Sequence, residues 1–507
     1  MKARFFLAAM AAMAIISCNK EADVVTPSVD GPSAMLKVNI KSAAQTKAYS
    51  DGIDAENTVS TVKFYFYDAA GAAYSVVPGA NSITWTAKSP ANDNIAAVSD
   101  VVLVIKQAET TPPSKVVAIL NDATDYSNLS LAELGQQVIT TLHTNNTDFV
   151  MSNSVYYDDA SKKAVVVATD ITQDNIFVDT DYTGEAGAAY TGSVDVTPID
   201  IYVERVAAKV TVNFGTANLV PVKDADGKQM KDSEGKDVYV DFTGWNVTNA
   251  TDEANLIKGL SASYDFTWTW NNPADFRSFW ANTTDTPEHK HTFTALESHT
   301  VAYDYYFENT SAEASQLLVA ARLCDKEGAK ISLARWYNVL YTVADAKTAV
   351  ANTLVSKVYT KSGETYNSVG VNDMVFYQTD YSAADNRYEV LVKAKDGVTY
   401  YNAKGTAYPA DEIKAIFEAV EPIQMWDEGM TYYYATIQHI DANAPAIVRN
   451  HEYQITVSGV KGYGTPVYDP NQIIIPEPVD PQDALNLAAE INVLSWNVIS
   501  QDVTLGF

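Results

Sequence analysis

The residue with the most explicit chemistry is Cys18. It follows Ile15-Ile16-Ser17 and precedes Asn19-Lys20-Glu21. Aliphatic, aliphatic, small, cysteine is the pattern at which a thiol becomes thioether-linked to diacylglycerol and signal peptidase II cuts just before it. The reaction needs a nucleophilic sulfur there, and small residues ahead of it so that the strand fits the protease. Lys2 and Arg4 lead into an uncharged apolar run from Phe5 to Ile16. That run is too short to span a bilayer as a helix and has the length of a signal-peptide core. The competing reading is an ordinary export signal with a chance cysteine. Cysteine usage favours lipidation, because the chain has one other, Cys324, and a bridge to it would tie a tail to an interior strand. Cys324 ends the apolar stretch Leu317 to Leu323 and reads as a buried, inert thiol.

Other reactive constellations are weaker. His289, His291 and His299, with Glu288, form the one histidine cluster, and a His-x-His on a strand could hold a metal. The segment Thr286 to His291 reads better as a solvated turn, so no metal or other cofactor is expected. Acidic pairs such as Asp158-Asp159 could be posed as glycosidase carboxylates. With a formal net charge of −28 such pairs are background. No phosphate-binding, dinucleotide-binding or nucleophile-elbow pattern stands out. The expectation is a protein that is not an enzyme. Its acidic field repels nucleic acid and anionic lipid.

The elements that would carry these residues are mostly strands. The 507 residues suffice for two large β domains, and Tyr, Thr and Val are abundant. After a polar tether at 19–34, Leu36, Val38 and Ile40 alternate with Lys37, Asn39 and Lys41, the period of a strand with one buried face. Residues 42–52 are small and polar, a loop. Strands are predicted at 62–66, 101–105, 116–120, 165–167, 201–212, 238–242, 266–270, 301–307, 316–323, 388–394, 430–437 and 451–457. A helix is predicted from Leu131, Leu134, Val138 and Leu142 after Ser130, and another after Pro409 with Ile413, Ile416 and Phe417 on one face. A domain boundary is placed near residue 207. Pro466, Pro470, Pro476, Pro478 and Pro481 then form a stiff linker, beyond which Ile491 to Ile499 and Val503 to Leu505 return to β code. Such a segment either folds back on its own domain or belongs in another molecule.

Together these features resemble the fimbrillin family of Bacteroidales type V pili, most closely the shaft subunits of its short fimbriae. The resemblance runs through the lipobox at Cys18, the early strand, Lys115 to Asp122, Val203-Glu204-Arg205, and Leu317 to Leu323. It is most specific at Gly429 to Tyr434, Ile447 to Ile455 and Ile491 to Val498. It implies two transthyretin-like, Greek-key β-sandwich domains with a few short helices. The implied division is a signal peptide at 1–17, a propeptide at 18–47, domains at 48–207 and 208–465, and a linker with donor strand at 466–507.

The resemblance also implies a route. The subunit reaches the outer membrane as a palmitoylated lipoprotein, and a trypsin-like protease then cuts after Lys47, making Ala48 the new N-terminus. Lysine stands where the best-known members carry arginine, and Lys41 is a weaker site inside the strand. Cleavage removes the strand bearing Leu36, Val38 and Ile40. The slot is refilled by the C-terminal strand of another copy, with Ile491, Val493, Leu494, Trp496, Val498, Val503 and Leu505 as candidate donor residues. Ile491 and Val493 lie on the opposite parity to Leu494, Trp496 and Val498, which a bulge near Val493-Leu494 would reconcile. The implied partners are further copies, accessory fimbrial subunits, the protease, the outer membrane, and surface ligands of host or bacterium. A tip or anchor subunit, or a lipid-anchored glycan-binding protein, are the alternatives.

Overall fold

The computed structural model describes residues 33–503 apart from 44–52, 77–81, 84–94, 107–111, 159–162, 180–196, 216–218, 259–289, 380–388, 440–446, 475–485, 495–499 and a few one- or two-residue gaps. The chain is mainly β, with two large sheets and few short helices.

The first sheet has nine strands. Its principal members are β1 (Ser33–Ala43), β2 (Val62–Tyr67), β3 (Ile95–Lys106), β4 (Lys115–Leu120), β5 (Met151–Asn153), β6 (Ile176–Asp179) and β7 (Ile199–Arg205). The order β1-β7-β5-β4-β2 runs through its centre. Continuous apolar runs mark strands covered on both faces. In β2, Phe64 and Phe66 enter one core with Val116, Ala118, Ile201 and Val203. Tyr65 and Tyr67 enter another with Val117, Ile119, Leu134, Leu256 and Ile257.

The second sheet has ten strands. They include β8 (Ala207–Asn213), β9 (Val220–Lys223), β10 (Tyr239–Thr248), β11 (Tyr303–Phe307), β12 (Gln316–Cys324), β13 (Met430–Thr436), β14 (Glu452–Lys461), β15 (Asn486–Leu494) and β16 (Ser500–Val503). Between β7 and β8 the chain passes from one sheet to the other across the single buried residue Val206. In β12, Leu317, Val319, Ala321 and Leu323 face the main core, while Leu318 and Ala320 face a smaller one behind.

Among the described residues, four helices pack on this frame: α1 (Leu131–Leu134), α2 (Phe293–Ser298), α3 (Val343–Leu354) and α4 (Ala410–Glu418). Ser130 caps α1 as the sequence suggests, its side chain accepting from the Glu133 amide. The helix then stops at Leu134, short of the expected Val138 and Leu142. Val138-Ile139 instead form a two-residue strand against Ala254-Asn255, burying Ile139 beside Leu256. Tertiary burial overrides the helical spacing there. Helix α4 follows Pro409 with Ile413 and Phe417 buried, as expected. The strand read at 266–270 lies outside the described residues. The region between β12 and β13 holds α3, α4 and short hairpins around its own core, including Val350, Leu354, Val392 and Phe417.

Candidate assembly site

Strand β1, which carries Leu36, Val38 and Ile40, is paired on both edges. One edge runs antiparallel to β3, from Ser33 opposite Lys106 to Ala43 opposite Ile95, with a shift between Lys41 and Ala43. The other edge is shared. Ser33 to Leu36 lie antiparallel to β6, and Val38 to Ser42 lie parallel to β7. Val38 stands opposite Ile199 and Ile40 opposite Ile201, both of which enter the first core. Among the described pairings, β3 joins the sheet through β1 alone. Removing β1 would therefore open a slot with β3 on one side and β6 and β7 on the other.

The C-terminal β segment lies on its own half of the molecule. β15 runs antiparallel to β14, from Glu452 opposite Leu494 to Lys461 opposite Asn486. β16 pairs with β15, placing Val503 opposite Ala489. Ile491 and Val493 stand opposite Ile455 and Tyr453, which are buried in the second core, whereas Leu494 stands opposite Glu452. The irregularity in this ladder falls between Val457 and Gly459. Cys18, Lys47, Ala48, Trp496, Val498 and Leu505 lie outside the described residues.

Between slot and C-terminal strand is a feature the sequence reading missed. Glu56, Glu204, Glu308 and Glu452 meet Arg205, Lys209, Lys258 and Arg449, and all eight are buried. The Arg449 guanidinium forks onto Glu308, with Nη2 at 2.5 Å from Oε1 and Nε at 3.0 Å from Oε2. It also donates to the Asn255 and Leu256 carbonyls. Lys258 Nζ lies 3.0 Å from Glu204 Oε1. Lys209 Nζ lies 2.7 Å from Glu56 Oε1 and 3.9 Å from Glu452 Oε1, which also accepts from Thr211 at 2.8 Å. Burial draws the Arg205 guanidinium down to about 10, opposed by Glu56 and Tyr305. Burial also lowers Lys258, against Glu204 and Glu308. The signal was present: Glu204-Arg205 and Arg449 to Glu452 interrupt otherwise apolar strand-forming runs, and interior charges must be partnered.

The remaining candidates have structural partners. His291 Nε2 lies 2.9 Å from the Val247 carbonyl, and His299 bridges the Trp245 carbonyl and Asp304. Glu288 and His289 lie outside the described residues. Cys324 is buried, and desolvation followed by Asp241 and Asp325 pushes its thiol up to about 12. Among the described residues, no helix is long and apolar enough to cross a membrane.

No curated protein matches the chain. Among solved structures, a fimbrilin (fimA) from Porphyromonas gingivalis is similar at 14% identity, covering 92% of this chain and 98% of that one, with a TM-score of 0.39. A fimbrial assembly protein from Parabacteroides distasonis is similar at 9% identity over 73% of this chain and 98% of that one, with a TM-score of 0.31. The tip fimbrial protein Mfa3 from Porphyromonas gingivalis is similar at 11% identity over 92% and 100%, with a TM-score of 0.29. Residues 424–502 match the family model described as major fimbrial subunit protein type IV, fimbrillin, C-terminal. The match takes in β13, β14 and β15, the stretch where the sequence resemblance is most specific. Residues 424–502 of this chain are thus similar to the C-terminal segment of the fimbrillin family.

Proposed function

We propose that this chain is a structural, non-enzymatic subunit of a cell-surface fimbria, exported as a lipoprotein on Cys18 and matured by cleavage after Lys47. It polymerises when the C-terminal strand of one copy enters the slot left by β1 in the next. The observation that carries the reading is the position of β1, paired on both edges and, among the described pairings, alone in joining β3 to its sheet. The fimbrillin match at 424–502 supports the fimbrial role.

The energetics favour refilling. Each apolar side chain returned to the slot recovers roughly 1.5–3 kcal/mol, and each ladder hydrogen bond adds about 1 kcal/mol net. Thr465-Pro466 and Ile473-Ile474 are paired into sheets, so the Pro-rich arm is the stretch with Pro476, Pro478 and Pro481, which limits the entropy the donor must lose. Head-to-tail donation does not close on itself, so it yields a filament. In this reading 48–207 and 208–465 are the two domains, divided where the chain changes sheet at Val206.

The test is the N-terminal sequence and C-terminal mass of protein sheared from cells, with gels run unheated and heated. A start at Ala48, an intact Phe507 and a ladder that collapses only on boiling are expected. A lipidated Cys18 start with a single monomer band would instead indicate an anchor or a surface-binding lipoprotein.

A further inference from the structure

We propose that Glu56 is the anchor of the matured N-terminal end, holding residues 53–57 against the junction after the preceding segment is cut away and so preserving the wall of the slot. The inference rests on the maturation reading above. The geometry begins at the end of β1, where Ser42 stands opposite Val203 of β7. Two residues further along β7, Arg205 grips the chain as it returns. Its Nε donates to the Glu56 carbonyl at 3.0 Å, its Nη2 donates to Asn57 Oδ1, and its Nη1 reaches Asn450 Oδ1 at 3.2 Å. The exit of β1 and the re-entry of the chain are thus fixed by residues two apart on one strand.

The Glu56 carboxylate completes the grip. It is fully buried, at 0% exposure. Lys209 Nζ donates to Oε1 at 2.7 Å and the Tyr305 hydroxyl donates to the same oxygen at 2.5 Å. Oε2 accepts from the Ile53 amide at 3.2 Å, closing a single turn over Asp54–Asn57. Lys209, Tyr305, Arg205 and Asn450 all follow Lys47 in the chain. A cut after Lys47 therefore severs the connection to β1 and leaves every contact of Glu56 in place. Because Arg205 ends β7 and Lys209 lies in β8, the same contacts tie the slot wall to the second sheet.

The experiment follows amide hydrogen exchange at Glu56 and Thr58, whose amides donate to the Ile53 and Ala55 carbonyls, in the full chain before and after trypsin, with the new N-terminus sequenced. In the wild type, protection should survive cleavage after Lys47 to within about threefold. In Glu56→Ala it should survive before the cut, while the chain is still tethered to β1, and fall about tenfold or more after it. Glu56→Gln keeps an acceptor for Tyr305 and Lys209 and should rescue most of that protection. Loss of wild-type protection on cleavage, or full protection in cleaved Glu56→Ala, overturns the proposal. Should Glu56→Ala fail to fold, Tyr305→Phe, which removes one of the two donors to Oε1, takes its place, and full protection of that variant after the cut would overturn the proposal. A chain that trypsin does not open after Lys47 removes the maturation reading and this inference together, whereas opening with loss of protection removes the inference alone.

Discussion

At the residue scale, four carboxylates and four cations are buried in two groups, Glu56 and Glu452 with Arg205 and Lys209, and Glu204 and Glu308 with Lys258 and Arg449. Ions taken out of water are tolerated only when each finds its partner, so removing one is far worse than removing both. Arg449→Leu strands the Glu308 carboxylate and should cost about 3–5 kcal/mol in urea denaturation. The double replacement Arg449→Leu with Glu308→Leu should recover a large part of that loss. His439 gives a pH signature. Burial, with His451 and Lys258 adding repulsion, holds its ring well below the ordinary 6.5. As pH falls past that ordinary value, the unfolded chain takes up the proton first and the folded state loses ground. The urea midpoint should therefore decline from about pH 6.5 downward, and His439→Asn should flatten that part of the curve. These charges were visible in the sequence as interruptions of apolar runs, but which carboxylate meets which cation depends on contacts such as Arg449 with Glu308. Those partners stand 141 positions apart, beyond the reach of any local pattern.

At the element scale, the strands that read most clearly are those buried on both faces, such as Lys115–Leu120 and Gln316–Cys324, where every residue after the first is buried. Helix α3 was missed. Its signals were the Thr342 cap, which accepts from the Asp345 amide, and the spacing of Val343, Ala346, Val350 and Leu354. Small alanines at the buried positions blunt that contrast. Gly244 shows a constraint of another kind. It sits at the register shift between β10 and β12, and a methyl group there would lie 2.3 Å from the Leu296 carbonyl oxygen of α2. Gly244→Ala must push α2 off the sheet and should lower stability by about 1–3 kcal/mol, read as a fall in melting temperature.

At the scale of the whole molecule, the β character was legible in the sequence, which left the location of the C-terminal segment open between self and neighbour. The pairing of β15 with β14 places it on its own half in the single chain. Deleting 486–507 should leave a folded monomer that forms no ladder on unheated gels, because β1 and its slot lie in the other sheet. The same deletion uncovers an edge of β14, so size-exclusion chromatography should show association that rises with protein concentration. The two-edged pairing of β1 has a mechanical consequence. A pull along its axis would strain the ladder bonds of its eleven residues together, in shear, whereas a sideways pull would peel them one at a time. A strand occupying that position and tugged lengthwise, as along a fibre in flowing liquid, would hold at forces that would unzip the same bonds pulled from one end.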